Sequence, residues 1–342
     1  MEAEMNDQAP SPPEDPAATA GPSPSGPAAD APESAEAAET ERLYRAAQLY
    51  YEQGATQAEV AAQLQVSRPS ISRMLSEART RGIVEIRVHR PSAFGVDDLQ
   101  ERLRTRLGLH EVLIASGDQR QRIGMGLGPL TRHALAGTHL GPGDVLLIAS
   151  GETTYALAQQ RLGSFSGVVV APTVGGQAEP DPWHQTNEVV RAFSSTSGGY
   201  PHYLFAPSMP SHALLTALQD DPGYRQIVAD WRTAKVALVG VGAPALSRES
   251  IARSVPRDHP NLARSVGDVC LAFFDQNGDE VTFPGHERMV RIPGEALRAV
   301  PHRIAAAVGV HKAPSIITAA KSQWFTTLIT DEVTARAIDR TP

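Results

Sequence analysis

Two regimes of apolar spacing divide the chain. From Glu41 the apolar positions recur at helical intervals: Leu43, Ala46, Ala47, Leu49 and Tyr50 form one face, which ends at Gly54, a natural helix stop. A second face follows at Val60, Ala61 and Leu64, and a third at Ile71, Met74 and Leu75. Leu64-Gln65-Val66-Ser67 breaks the period between them. Ser67 is placed to accept a hydrogen bond from a free amide of the next turn, and Pro69 falls inside that turn, where a missing N–H costs little. Thr56 to Leu75 therefore reads as two short helices joined by a tight turn, with their apolar stripes packed on each other. Gly82 ends the pattern, and Ile83-Val84-Glu85-Ile86-Arg87-Val88 alternates like a half-buried strand, which predicts a small wing.

Between residues 91 and 98 the periodicity is lost among Pro, Ser and Gly, as in a linker, and a helical stretch runs from Leu99 to Leu107. Beyond it strand-like runs alternate with helical patterns: Glu111 to Ala115, Ile123 to Ala136, Asp144 to Ala149, Thr153 to Leu162 and Gly167 to Pro172. Further runs lie at Tyr203 to Ala206, Lys235 to Val241, Val269 to Phe274, Arg303 to Val308 and Thr326 to Thr330. The alternation predicts an α/β domain over 99–342, with a mostly parallel sheet and helices on both faces.

Composition adds limits. A hydrophobic share of 41% and a charged share of 20% fit a globular protein, and 342 residues suffice for two domains. No apolar run reaches the roughly 18 residues of a membrane span, and no basic-then-apolar leader opens the chain, so a cytoplasmic location without membrane contact is expected. The single cysteine, Cys270, lies in the apolar run Val269 to Phe274 and reads as a core residue. Residues 1–40 are rich in Pro, Ala, Ser and Glu and poor in large apolar side chains, which predicts a disordered tail that is either a solvated extension or a competitor of DNA.

Charge distribution changes the picture most. The net charge is -7, yet residues 1–40 hold nine acidic residues and no Lys or Arg, whereas 41–90 hold eight Arg against five Glu. The one basic block contains the helix pair, as expected of a module that reads DNA. On the second helix of the pair, Ser67 to Arg81, the polar positions Arg68, Ser70, Ser72 and Arg73 suit base edges and phosphates, Arg by two donors to a guanine edge. The pair is thus a helix-turn-helix candidate for double-stranded DNA, although its pattern also fits a helical hairpin with a solvated face. Arg87, His89 and Arg90 on the wing fit either phosphate contact or plain solvation.

In a parallel sheet ligands bind beyond the carboxyl ends of the strands. Ser150-Gly151-Glu152-Thr153-Thr154 follows one predicted strand, as an anion or sugar cradle or a simple N-cap, and Thr173-Val174-Gly175-Gly176-Gln177 follows another. Asp275-Gln276-Asn277-Gly278 (site or turn), Gly309-Val310-His311-Lys312 and Asp331-Glu332 follow three more. Five polar loops at one edge predict a pocket for a small polar molecule.

These pieces resemble the SorC-type sugar-responsive transcriptional regulators, whose ligand domain is related to sugar-phosphate isomerases. The resemblance runs from about Arg42 to Arg340 and rests on Leu43-Tyr44, Tyr50-Tyr51, Thr56-Gln57 and Val66 to Leu75. It continues through Gly151 with Thr153 and Thr154, Gly175-Gly176 with Asn187, Ala206-Pro207, Val266-Gly267-Asp268, Phe274-Asp275, Lys312-Ala313 and Leu328 to Glu332. It implies a winged helix-turn-helix over 41–90 and a Rossmann-like, sugar-phosphate-isomerase-like effector domain. It further implies operator DNA and a sugar or sugar phosphate as partners, a homo-oligomer (dimer or tetramer), and no cofactor. DNA contacts would fall on Gln57, Ser67, Arg68, Pro69, Ser70, Ser72 and Arg73. Effector contacts would fall on Gly151, Thr153, Thr154, Gly176, Gln177, Asn187, Asp275, Lys312, Asp331 and Glu332, with Asp275 accepting sugar hydroxyls and Lys312 holding an anionic group. Glu152 departs from the Gly or Arg common in such regulators, and a carboxylate there would repel a phosphate. The alternative is an enzyme of isomerase or aldolase type using Lys312 with Asp275 and Asp331.

Overall fold

The computed structural model describes residues 31–85, 95–248, 255–256 and 258–341, with side chains in the first stretch from residue 37 onward. The chain forms two compact units that divide between residues 89 and 90.

In the N-terminal unit, α1 (Ala31–Ala47) runs into a single π-helical turn, Gln48–Glu52, before Gly54 at φ +71°. The helix begins at Ala31, so Ala31–Thr40 are helical where a disordered tail is expected. Ala and Glu, which dominate this stretch, are strong helix formers. The rest of the expected tail, residues 1–30, lies outside the described residues.

Helices α2 (Gln57–Gln63) and α3 (Arg68–Thr80) follow. Thr56 and Glu59 close a capping box: Thr56 Oγ1 accepts from the Glu59 amide at 3.3 Å, and the Thr56 amide donates to the Glu59 carboxylate at 2.8 Å. Ser67 Oγ accepts from the Ser70 amide at 3.3 Å, as the pattern predicts, and Gln65 turns the corner at φ +53°. Val60, Ala61, Ile71, Leu75 and Ala78 bury their side chains against Leu43, Ala46 and Leu49 of the helix before them. Ile83 and Val84 pack on this core, and both amides donate to the Ala78 carbonyl. Ile83–Glu85 form no strand; the rest of the expected wing, with Arg87, His89 and Arg90, lies outside the described residues.

The second unit opens with α4 (Val96–Leu107), between Gly95 and Gly108, both at φ +66°. Val96 to Asp98, expected in a linker, are its first turn, where Asp97 and Asp98 favour the positive end of the helix.

The seven strands of the main sheet are β1 (Glu111–Ala115), β2 (Val145–Ile148), β3 (Val169–Pro172), β4 (Tyr200–Pro201), β5 (Val236–Gly240), β8 (His302–Ala306) and β9 (Thr327–Asp331). All pairs are parallel, in the order β1-β9-β8-β5-β2-β3-β4. Strands covered on both faces are apolar at every position, and here successive residues feed opposite cores: Leu147, Val239 and Leu328 on one face, Leu146, Leu238 and Ile329 on the other.

Two runs depart from the expected sheet. Tyr203 to Ala206 is irregular, and only Tyr200 and Pro201 pair with β3, at the sheet edge. Val269 to Phe274 does not make one strand: β6 (Gly267–Val269) and β7 (Ala272–Phe274) form a separate antiparallel hairpin. Its two-residue turn places Cys270 and Leu271 at φ +52° and +60°, a conformation usually given to Asn or Gly, so no turn residue announces it.

The chain leaves β2 toward β3 on one side and leaves β5 toward β8 on the other. Between β2 and β5 the winding reverses, which opens a crevice at their carboxyl ends.

Candidate functional site

A pocket of about 470 Å³ fills that crevice. The loops after β2, β3, β5 and β8 supply its walls, and the hairpin closes one side with Asp268, Cys270 and Leu271.

Glycine shapes the wall after β2. Gly151 stands at φ +140°, its amide donating to the Trp183 carbonyl at 2.8 Å and its carbonyl accepting from Thr154 Oγ1 at 3.0 Å. The helix Glu152–Ala158 starts there, with Thr153 and Thr154 buried and Glu152 exposed. Gln177, from the loop after β3, donates to Ser150 Oγ at 3.1 Å and so ties two walls together.

The charged groups lie on the other side. Arg248 and Asp268 form an ion pair in which the carboxylate is almost fully buried. The second Asp268 oxygen accepts from the Leu271 amide at 3.1 Å, so the pair also holds the tight turn. Gly242 donates its amide to the Asp268 carbonyl at 2.9 Å, and a Cβ at this glycine would fall on both the carboxylate and the guanidinium. Lys312 ends a short helical turn, Val310–Lys312, after Gly309 at φ +120°. Burial and the nearby Arg248 push its ammonium below the ordinary lysine range, against the pull of Asp268 and Glu152.

Burial is the leading cause that lowers both His184 and His311 below their ordinary 6.5. Such a group binds fewer protons folded than unfolded, so its contribution to stability is present above the unfolded value and is lost as pH falls through and below it. The melting temperature of the second unit should therefore drop between about pH 7.5 and pH 5.5, and His184→Gln should flatten the slope in a pH series of thermal melts. The Cys270 thiol is pushed up to about 12 by burial, which agrees with a core residue and removes it as a nucleophile at neutral pH.

Of the expected effector contacts, Gly151, Thr153, Thr154, Gln177 and Lys312 line the pocket together. The other five do not, each for a visible reason. Gly176 uses its amide and carbonyl to bridge Ala206 and Ser208. Asn187 brackets the Leu204 backbone with its amide at 3.1 Å and its oxygen at 2.9 Å. Asp275 accepts the Asn277 and Asp279 amides and is the turn residue of its loop. Asp331 caps the helix Glu332–Arg340 through the Thr334 amide at 2.8 Å and holds the Gln119 amide at 2.8 Å. Glu332 accepts from the Gly117 amide and pairs with Arg336.

Four polar or aromatic lining residues lie outside every stretch the sequence reading named, Trp183, His184, Ser247 and Arg248, and a fifth, Asp268, was named only within a motif of the resemblance. For Asp268 a signal existed, since it lies in one of the motifs that carry the resemblance; Arg248 has none nearby.

On α3, Arg68, Ser72 and Arg73 are exposed, whereas the Ser67 and Ser70 hydroxyls meet at 2.8 Å and serve the cap. Pro69 is exposed and Gln57 half-buried. Among the described residues no helix is long and apolar enough to cross a membrane.

Comparison with known proteins agrees with this layout. Residues 92–338 match the profile of the family described as "Putative sugar-binding domain". The sorbitol operon regulator of Klebsiella pneumoniae is 28% identical over 314 residues, covering 86% of this chain and 96% of that protein. The deoxyribonucleoside regulator of Bacillus subtilis (strain 168) is 28% identical over 302 residues, covering 86% and 95%. The crystal structure of the full-length sorbitol operon regulator SorC from Klebsiella pneumoniae superposes with a TM-score of 0.68 at 27% identity, covering 87% of this chain and 98% of that one. A parallel α/β unit whose pocket lies at the winding reversal, preceded by a capped helix pair and matched over most of its length, leads to one assignment: the chain belongs to the SorC-type family of sugar-binding transcriptional regulators.

Proposed function

We propose that the chain is a cytoplasmic, homo-oligomeric regulator of carbohydrate metabolism whose operator affinity is set by a sugar effector in the pocket between β2 and β5. The observation that carries this reading is the pocket itself. It lies at the sheet's reversal point inside the segment that matches the sugar-binding family, and Ser150, Thr153, Thr154, Gln177 and Lys312 line it with hydroxyl, amide and ammonium groups. The names of the two regulators compared above, for a sorbitol operon and for deoxyribonucleosides, support a carbohydrate-linked effector.

In this reading α3 is the recognition helix. Arg68, Ser72 and Arg73 face the groove, while the caps at Thr56 and Ser67 fix the angle at which the helix enters. The DNA-binding unit covers residues 41–90 together with the helical extension from Ala31, and the effector unit begins at Val96. Two copies related by a two-fold axis would read a pseudo-palindromic operator. Effector binding shifts the oligomer between arrangements of different operator affinity, and no bond of the sugar is made or broken.

Arg73→Ala should weaken operator binding by about 1–3 kcal/mol per half-site, with a loss that depends on the base sequence if the contact is to a base edge. Because Arg73 is exposed, the melting temperature should not move. Fluorescence anisotropy with operator and scrambled duplexes measures both parts, and unchanged operator affinity would remove Arg73 from the interface.

A further inference from the structure

The charges around the pocket say which kind of sugar it takes. Among the described residues four ionised groups line it: Arg248 and Lys312 on the positive side, Asp268 and Glu152 on the negative. They balance two against two, and one pair is in contact. Arg248 is engaged by Asp268, and the other Asp268 oxygen is held by the Leu271 amide. Gly242 leaves that pair no room to be displaced on its own side, since even a Cβ there would overlap both partners. Lys312 feels both Asp268 and Glu152. His184 and His311 are the two remaining basic groups of the lining; burial lowers the buried His184 below its ordinary value, and desolvation with the neighbouring Lys312 and Arg120 lowers the exposed His311.

A phosphate ester would bring close to two negative charges into this site. Arg248 could serve it only while sharing its guanidinium with Asp268, whose almost fully buried carboxylate already takes up one unit of its charge. Lys312 would face the ester beside Glu152, and Glu152, the first residue of the helix Glu152–Ala158, is already the anion at the head of that helix. Hydroxyl groups meet no such obstacle. Carboxylate oxygens accept from them, and Lys312, Ser150, Thr153, Thr154 and Gln177 can exchange hydrogen bonds with them at no charge cost.

From this pairing we infer that the pocket selects an unphosphorylated sugar or sugar alcohol, with Glu152 as the residue that discriminates against the phosphate ester. The inference rests on the effector-site reading above and narrows it. Glu152 acts by like-charge repulsion, a repulsive device of the kind by which specific sites exclude near relatives of their ligand.

The test is isothermal titration of the full chain with D-glucitol, D-glucose, D-fructose and 2-deoxy-D-ribose, each beside its terminal phosphate ester. At least one neutral compound should bind at least about tenfold tighter than its ester. Glu152→Gln should shrink that ratio by about tenfold, chiefly through a gain for the ester, and added salt should shrink it in the parent chain. Tighter binding of an ester than of its neutral partner by the parent chain, or a ratio that Glu152→Gln leaves unchanged, overturns the inference while keeping the effector site. Absence of binding by every compound of both series overturns the effector-site reading and the inference with it. Glu152 is exposed, so the variant keeps the fold, which its unchanged thermal melt verifies.

Discussion

Ile71→Ala should abolish operator binding without touching an exposed residue of the recognition helix. Ile71 is fully buried at the centre of the N-terminal core, among Val60, Leu75, Ala78, Leu43 and Leu49. Truncating a buried Ile to Ala costs about 2–5 kcal/mol, because the transfer energy is lost and the surroundings collapse only in part. A core built from so few large side chains cannot absorb that, since small domains have only a few kcal/mol of net stability. The expected result is loss of the low-temperature step in a thermal melt, with the step of the effector unit in place and sugar binding retained. Ser72→Ala, at an exposed neighbour on the same helix, should leave both steps intact. Retained helix-pair stability in Ile71→Ala would mean that the three-helix core does not hold the recognition helix.

Asp268→Ala is the second large effect, and it strikes the other unit. Removing one partner of a buried ion pair leaves its mate uncompensated, at about 3–5 kcal/mol, and the partial exposure of Arg248 puts this case near the lower end. The same change frees the Leu271 amide and so loosens the turn at Cys270 and Leu271, whose left-handed backbone has to be held by its surroundings. Denaturant unfolding of the effector unit should show the loss, and the double variant Arg248→Met with Asp268→Leu should recover most of it, since an apolar pair of similar size needs no charge partner. A recovery that fails would assign the damage to the turn rather than to the stranded guanidinium.

The N-terminal unit was largely legible because its signals are local. The apolar spacing of three short helices, the Ser67 cap and the Gly82 stop all act within a turn or two of where they stand, and each has its counterpart in the structure. A further local signal, the capping box of Thr56 and Glu59, was present in the sequence as well. The parallel sheet was legible for a similar reason: strands buried on both faces are continuous apolar runs, and six of the seven fall where such runs lie.

What escaped was non-local or disguised. Asp331 and Asp275 look like ligands at a strand end, yet the backbone amides within four residues claim them first. Asp331-Glu332-Val333-Thr334 opens a helix, and an Asp before a helix is more economically an N-cap than a contact. Asn187 is drawn off by the backbone of Leu204, which no spacing rule foretells. Arg248 and Asp268 meet only because the hairpin folds back over the loop after β5, and that hairpin depends on a turn whose residues, Cys and Leu, give no turn signal. The half of the site that the sequence located is the half carried by the strand ends themselves.

In the proposed mechanism, occupancy of the pocket between β2 and β5 changes what α3 does at the operator. The direct measurement is the operator dissociation constant of the full chain, at one salt concentration, with and without a saturating sugar that calorimetry has shown to bind. The predicted result is a shift of about 5–150-fold in either direction, the range of an allosteric coupling of about 1–3 kcal/mol, and no shift in Lys312→Met, whose pocket lacks the ammonium. A sugar that fills the pocket and leaves the operator constant unchanged in the parent chain would contradict it.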